Sequence, residues 1–140
     1  MGKISKHTEQ HDAICISVDN MLNMQENTRN FIHLPEHIRD IIQRFARESK
    51  EALHNHLLAE YLFGSYARGT YTSESDIDIL LLVDQMTPEI RRQMSGLAVE
   101  YSLNDNIYIS PIIKDRQVWR QNQQYNTLFY QNVMHEGIPL

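Results

Sequence analysis

Two aspartates stand at the start of an apolar strand pattern. In the segment LFGSYARGTYTSESDIDILLLV, residues 62–83, Asp76 and Asp78 precede a run of aliphatic residues. Residues two apart on a strand leave the same face about 6.5 Å from each other. Two carboxylates at that separation repel by roughly 2.5 kcal/mol at an effective dielectric of about 20. Because Mg²⁺ typically binds one or two carboxylates together with substrate phosphates, the pair predicts a magnesium site that works with a nucleotide.

A Gly-Ser pair precedes these aspartates. Gly64 and Ser65 follow the apolar segment LLAEYLF, residues 57–63, which is typical of a strand. A turn that leads from a strand into a helix leaves backbone N–H groups available to a phosphate. Gly64 allows a ligand to approach the backbone closely, and Ser65 adds a hydroxyl. The segment therefore predicts phosphate binding. Arg68 returns to the same side of the short helix and either adds a guanidinium to this site or is a surface residue or a partner of Glu74.

Hydrophobic periodicity predicts the elements that position these residues. In chain order they are a helix from Pro35 to Leu53, strands over 57–63 and 76–83, a helix from Thr87 to about Leu103, a strand over 106–113, a solvated turn at 114–116 and two short helices that end near Gly137. Both alternating faces of the 76–83 strand are apolar, which indicates a central position in the sheet. Pro111 indicates an edge or a bulge for the 106–113 strand.

The predicted fold class is α/β (α+β), a small mixed sheet with flanking helices. We expect the helices to bury one face of this sheet and the ligand site to lie on the other side. A chain of 140 residues suits one domain. We assign residues 31–140 to it and residues 1–30 to a loosely attached N-terminal extension.

Composition narrows the classes of partner and location. The net charge of −5 argues against general nucleic-acid binding, which depends on Lys and Arg. No apolar run approaches the roughly 18 residues that a membrane span needs, so no membrane partner is expected. The N-terminal residues mix polar residues with two short apolar patches and lack the continuous apolar segment and the cleavage pattern of a signal peptide. The single cysteine, Cys15, has no internal partner for a disulfide, and together these features predict a cytoplasmic protein.

The spacing of the two motifs resembles a known family. Gly64-Ser65, ten intervening residues and Asp76-Ile77-Asp78 are similar to the signature of nucleotidyltransferases related to DNA polymerase beta. GSYARGT followed by SDIDILL resembles the minimal nucleotidyltransferase (MNT) proteins of that superfamily. With the ending NTLFYQNVMHEGIPL, residues 126–140, the chain looks most like MNT antitoxins encoded beside HEPN-type ribonuclease toxins.

This resemblance implies a fold, an activity and a partner. The fold is the polymerase beta-like nucleotidyltransferase fold, and the activity is a Mg²⁺-dependent transfer of AMP from ATP to a tyrosine hydroxyl of the HEPN toxin. One or more AMP groups would silence the toxin. Asp76 and Asp78 would be metal ligands and catalytic residues. Ser65 would also be a catalytic residue. Gly64, Ser65 and Arg68 would bind the nucleotide.

The third acid of the family pattern has no obvious counterpart. The strand at 106–113 contains no carboxylate. Asp105, which lies just before it, is the candidate for a third metal ligand. Ser110 is the alternative occupant of the usual position, and if neither serves, activation of the acceptor falls to the partner or to the metal alone.

Other interpretations remain open at this stage. The same chemistry could act on a small hydroxyl compound, such as a cationic aminoglycoside, which an acidic protein would attract. A protein without catalytic activity could instead neutralise its partner by covering it. Tyr66 and Tyr71 suit either base stacking or the core, with the core favoured. Trp119, Phe129 and Tyr130 suit either the core or a partner surface, again with the core favoured.

Overall fold

In the computed structural model, which describes residues 33–140, five α-helices and four β-strands follow one another along the chain. They are α1 (Glu36–Leu53), β1 (Leu57–Phe63), α2 (Gly64–Arg68), β2 (Ile77–Val83), α3 (Pro88–Asp105), β3 (Ile109–Asp115), α4 (Arg116–Gln124), α5 (Leu128–Glu136) and β4 (Ile138–Pro139). The predicted extension over 1–30, with Cys15, lies outside the described residues. Within the described range, no helix combines the length and the hydropathy of a membrane span.

The long first helix confirms the prediction from periodicity. One face of α1 is buried against the sheet, and its apolar members are Ile38, Ile41, Ile42, Phe45, Ala46 and Leu53. Pro35 lies just before the helix, with φ −53° and ψ 145°, rather than at its first position. The chain leaves α1 at His54, whose φ of 47° is incompatible with a continuing helix, and a short 3₁₀ turn leads into β1.

The four strands form one mixed sheet in the order β3-β2-β1-β4. β2 pairs antiparallel with β1 and parallel with β3, so the predicted central position is confirmed. β4 pairs antiparallel with the other side of β1. β3 is an edge strand, as Pro111 indicated, because its proline nitrogen cannot donate to a sheet ladder.

The predicted solvated turn at 114–116 is wrong. Lys114 and Asp115 pair with Leu82 and Val83, so β3 continues to Asp115. The Asp115 side chain then accepts a hydrogen bond from the backbone N–H of Val118 at 2.9 Å and caps α4. Charged residues at a strand end can thus continue the ladder and begin the next helix without an intervening loop.

Helices cover both faces of the sheet, and the expectation of one covered face is therefore corrected. On one face, the odd-numbered residues of β2 pack against α1 and α3. On the other face, Leu80 and Leu82 pack with Val133 of α5, with Trp119 of α4 and with Phe129. A central strand with two apolar faces needs cover on both sides, which the two C-terminal helices supply. The fold class, a mixed sheet with flanking helices, is confirmed.

Candidate functional site

The register of β1 and β2 brings the Gly-Ser turn against the aspartate pair. Phe63, the last residue of β1, pairs with Asp78 near the start of β2. Gly64 follows at once, with φ 72°, a conformation that L side chains rarely adopt. A Cβ atom at this position would overlap Asp78 Oδ2 and lie 3.2 Å from Asp78 Cγ. The absence of a side chain therefore allows the turn and the carboxylate to touch.

The charges around Asp78 oppose its ionisation more than they favour it. Asp78 is half-buried, whereas Asp76 is exposed. Burial raises the pKa of Asp78, the charge of Asp76 raises that pKa further, and the charge of Arg68 lowers it. The charge of Asp76 thus acts on Asp78 as the sequence predicted, and the charge of Arg68 partly offsets this effect on Asp78.

These residues fit a magnesium ion. A half-buried carboxylate that another carboxylate repels is relieved by a cation, and carboxylate oxygens are the ligands that Mg²⁺ prefers. In residues 33–140 no cluster of three or more His, Cys, Asp or Glu side chains is suited to hold a metal. The site therefore offers the two carboxylates of Asp76 and Asp78, a number that leaves coordination positions for substrate phosphates and water.

Ser65 and Arg68 both belong to α2, the short helix that begins at Gly64. Ser65 is half-buried at its second position, next to the contact between Gly64 and Asp78. Arg68 is the last residue of the helix, which ends at Gly69 with φ 78°. The predicted phosphate-binding residues therefore lie on one element beside the aspartates, and their roles toward a nucleotide stay predictions.

Glu136 joins this group, although the sequence did not single it out. Arg68 Nη1 donates to Glu136 Oε2 at 3.0 Å, and the two residues are 68 positions apart in the chain. Glu136 is the last residue of α5 and precedes Gly137, which caps that helix. An acid directly before a helix-ending glycine was visible in the sequence, but nothing local linked it to Arg68.

The two candidates for the third position have different surroundings. Ser110 pairs with Asp78 in the parallel register of β3 and β2, so it lies directly beside the aspartate. Asp105, the last residue of α3, instead accepts a hydrogen bond from Arg44 Nη2 at 2.7 Å. Asn106 follows it with φ 54° and turns the chain before β3 begins.

The structure therefore does not bring Asp105 to the aspartate pair. α1 and α3 cover the sheet face formed by residues such as Ile77 and Ile79, whereas strand alternation places Asp78 on the face of Leu80. The carboxylate of Asp105 serves an ion pair between two helices. Of the two residues proposed from sequence, Ser110 has the position next to the site, and Asp105 does not.

The tyrosines of the turn belong mainly to the core. Tyr66 is only 8% exposed and packs within the cluster formed by α1, α3 and the sheet. Its ring stacks on that of Tyr71, with centroids 4.3 Å apart and planes 8° from parallel. The interpretation as core residues is thus confirmed for this pair. Trp119 and Phe129 also pack against the second apolar cluster, with ring centroids 6.4 Å apart.

Solved structures with a similar chain path include two toxin–antitoxin assemblies. A crystal structure of a toxin–antitoxin with AMP-PNP has a TM-score of 0.48 and 24% identity, and the match covers 69% of each chain. A crystal structure of a mutant of the toxin–antitoxin MntA-HpeT has a TM-score of 0.47 and 22% identity. That match covers 67% of this chain and 68% of the other.

Sequence comparison identifies relatives that the match covers over nearly their full length. "Putative protein adenylyltransferase MJ0141" of Methanocaldococcus jannaschii is 42% identical over 72% of this chain and 96% of its own. "Putative protein adenylyltransferase MJ0604" of the same organism is 33% identical over 69% of this chain and 90% of its own. The model of the nucleotidyltransferase domain matches residues 38–130, which include both motifs and most of the sheet. The chain therefore belongs to the nucleotidyltransferase domain family, as its two motifs indicated.

Proposed function

We propose that this protein transfers AMP from ATP to a tyrosine hydroxyl of a partner protein, and that the partner is a HEPN-type ribonuclease toxin which the modification silences. The nucleotidyltransferase family and the names of the M. jannaschii relatives, which this chain matches over nearly their full length, support AMP transfer to a protein. The toxin partner rests on the resemblance of residues 57–83 and 126–140 to MNT antitoxins.

One observation carries the chemistry. The backbone of Gly64 lies directly against the carboxylate of Asp78, so a phosphate at the turn and a cation on the aspartates would be neighbours. A phosphate-binding turn and a metal-binding carboxylate pair can act on the same nucleotide only if they lie next to each other. The register between Phe63 and Asp78 produces that meeting.

The residues of the site would have separate roles in binding ATP. Ser65 and the backbone N–H groups at the start of α2 would bind outer phosphate oxygens, and Arg68 would balance their negative charge. Asp76 and Asp78 would hold Mg²⁺, which when bound offsets the charge of the triphosphate. Ser110, which lies beside Asp78, offers a hydroxyl near the reacting groups.

The transfer itself exchanges one P–O bond for another. The tyrosine oxygen attacks the α-phosphorus of ATP, and the bond from that phosphorus to the oxygen bridging to the β-phosphate breaks. Pyrophosphate leaves with the electron pair of the broken bond, and the tyrosine proton passes to solvent. Because ATP supplies the leaving group, no other co-reactant is needed.

Labelling of the partner tests the proposal. The protein is incubated with Mg²⁺, ATP labelled at the α-phosphate and the HEPN protein encoded beside it, and label on the partner is located by mass spectrometry. We expect AMP on a tyrosine and loss of ribonuclease activity. Asp76→Asn with Asp78→Asn should abolish the label, because the paired charges that would hold the cation are gone. Ser73→Ala, in the exposed connection before β2, is the matched control and should label normally.

Two outcomes would contradict the proposal in different ways. Neutralisation of the partner by the Asp76→Asn, Asp78→Asn variant, without label, would show that the protein acts by covering its partner. Label on an aminoglycoside but not on the protein partner would show a small-molecule transferase.

A further inference from the structure

Arg68 is the last residue of the short helix α2 and carries the one cationic side chain of that helix. That helix begins at Gly64, whose backbone lies against the carboxylate of Asp78, so Arg68 is one helical turn from the aspartate. The guanidinium side chain is 45% exposed at the end of α2. A long, partly exposed arginine has many rotamers, so its usefulness to a ligand depends on what fixes its direction.

Glu136 provides that fixation through one of the two terminal nitrogens. The contact joins Arg68 Nη1 to Glu136 Oε2 at 3.0 Å. The Glu136 side chain is only 18% exposed, less than half the exposure of its partner. Because a guanidinium carries five N–H donors, this single hydrogen bond leaves the others available to a phosphate. The carboxylate thus holds Arg68 without using up its donors.

Glu136 is itself held firmly relative to the turn. The N–H of Gly137 donates to the carbonyl of Val133 at 2.7 Å and closes α5 directly after Glu136. The next two residues pair with Tyr61 and Leu62 of β1, one to two positions before Phe63. A Cβ on Gly137 would overlap the Val133 carbonyl oxygen, so a glycine is needed there. The C-terminal segment is in this way anchored to the strand that ends in the Gly-Ser turn.

We infer that Glu136 is a positioning residue for nucleotide binding, which orients Arg68 so that its remaining N–H groups bind a phosphate of ATP. This inference rests on the proposed function, since it assigns a role toward the same nucleotide. It gives α5 and β4 a part in the site that is not evident from either motif. It also predicts that Glu136 acts only through Arg68.

A double-mutant cycle tests this dependence. The full chain and its Glu136→Ala, Arg68→Ala and doubly substituted variants are titrated with a non-hydrolysable ATP analogue and Mg²⁺ by calorimetry. We expect Glu136→Ala to weaken binding about tenfold, in the range of one charged hydrogen bond. The double variant should bind no worse than Arg68→Ala, because the contribution of Glu136 needs the guanidinium.

Two further variants separate orientation from general stability. Glu136→Gln keeps an oxygen that accepts from Arg68 and should bind within about threefold of the unsubstituted protein. Glu89→Ala removes the Glu89–Arg92 pair of α3, of similar length at 2.8 Å, and should leave binding unchanged. Melting temperatures of all variants are measured alongside, since a purely structural role would lower stability without changing the affinity.

The outcomes distinguish this inference from the proposed function. Binding by Glu136→Ala that equals or exceeds that of the unsubstituted protein would overturn the inference alone, with tighter binding showing that Glu136 competes with phosphate. Additive losses in the double variant would also overturn it. If the unsubstituted protein binds no analogue, both the inference and the proposed ATP chemistry fail.

Discussion

At the scale of single residues, the site depends on a glycine and an acid that press against each other. Gly64 has the positive φ that glycine tolerates, and Asp78 occupies the space where any Cβ would lie. Asp78 is also half-buried and repelled by the charge of Asp76, and both effects raise its pKa. Both features cost stability in the absence of a ligand, which is a common property of functional sites.

Replacement of Asp78 by Asn should therefore stabilise the fold and remove activity. Because the pKa of Asp78 is raised in the folded protein, the folded state holds this proton more tightly than the unfolded chain, and stability falls as pH rises through the titration. Asn removes that loss. With a chelator present, we expect a higher melting temperature for Asp78→Asn at about pH 8 and equal values in acid. A lower melting temperature at about pH 8 would contradict the raised pKa.

Replacement of Gly64 by Ala should abolish transfer. The new methyl group would overlap the Asp78 carboxylate, and the φ of 72° adds strain of about 1–2 kcal/mol. Gly69→Ala is a matched control, because Gly69 has φ 78° but nothing lies within 4 Å of its Cβ position. We expect similar losses of stability from backbone strain but loss of AMP transfer only for Gly64→Ala. Equal transfer by both variants would show that the contact with Asp78 has no functional role.

At the scale of elements, the sequence predicted those helices and strands whose hydrophobic period or capping residues are local. The period of α1, the aliphatic run of β2 and the Thr87-Pro88 start of α3 all appear in the structure, and the Thr87 hydroxyl accepts from Ile90 N at 3.2 Å. β4 was missed because two residues carry no periodicity and only pairing with β1 makes them a strand. Asp105 was misplaced because sequence proximity to β3 does not decide which sheet face a helix end approaches.

Asp115 shows how a charged residue at a boundary can be misread, and its cap is testable. It ends β3, and its side chain satisfies the backbone N–H of Val118 at the start of α4. Asp115→Ala should lower the free energy of unfolding by about 1 kcal/mol, the usual value of an N-cap, as measured by urea denaturation. Asp115→Asn keeps a capping oxygen and should cost much less. A loss of the same size in both variants would assign the effect to charge rather than to the cap.

At the scale of the whole molecule, the site joins segments that lie far apart in the chain. Arg68 and Glu136 meet because β4 returns to β1 after α5 has crossed the second face of the sheet. No local pattern encodes such a contact, and for this reason the sequence predicted both motifs but not Glu136. The C-terminal segment therefore completes a site that the family signature alone leaves partial.

The packing of α1 on the sheet includes a buried carboxyl group, Glu60 of β1. Glu60 is 3% exposed, and its Oε2 has no hydrogen-bond partner among residues 33–140. Ser49 Oγ lies 2.7 Å from Glu60 Oε1 and 2.9 Å from the carbonyl oxygen of Phe45. Ser49 donates to Oε1 of Glu60 and so satisfies one of the two carboxyl oxygens. Burial away from water disfavours the charged form of this side chain more than the single hydrogen bond favours it.

This buried acid predicts that the fold loses stability as pH rises. Burial raises the pKa of Glu60 from 4.5 to about 7, with partial opposition from the hydrogen bond of Ser49 and the charge of Lys50. The unfolded chain releases this proton near pH 4.5 and the folded protein only near pH 7, so the free energy of unfolding falls between these values. The loss amounts to about 3 kcal/mol and is complete above the folded pKa.

Glu60→Gln isolates this effect, because the amide oxygen can accept from Ser49 and the amide does not ionise. Unfolding in urea across the pH range should give equal stabilities for both proteins in acid and a more stable Glu60→Gln variant at about pH 8. The difference between the two proteins cancels the contributions of other acids, including Asp78. A difference that stays constant with pH would mean that Glu60 ionises at its ordinary pKa in the folded state. The expected result would instead show that ionisation of this buried acid costs the fold stability, since its charge would then be removed from water without a full set of partners.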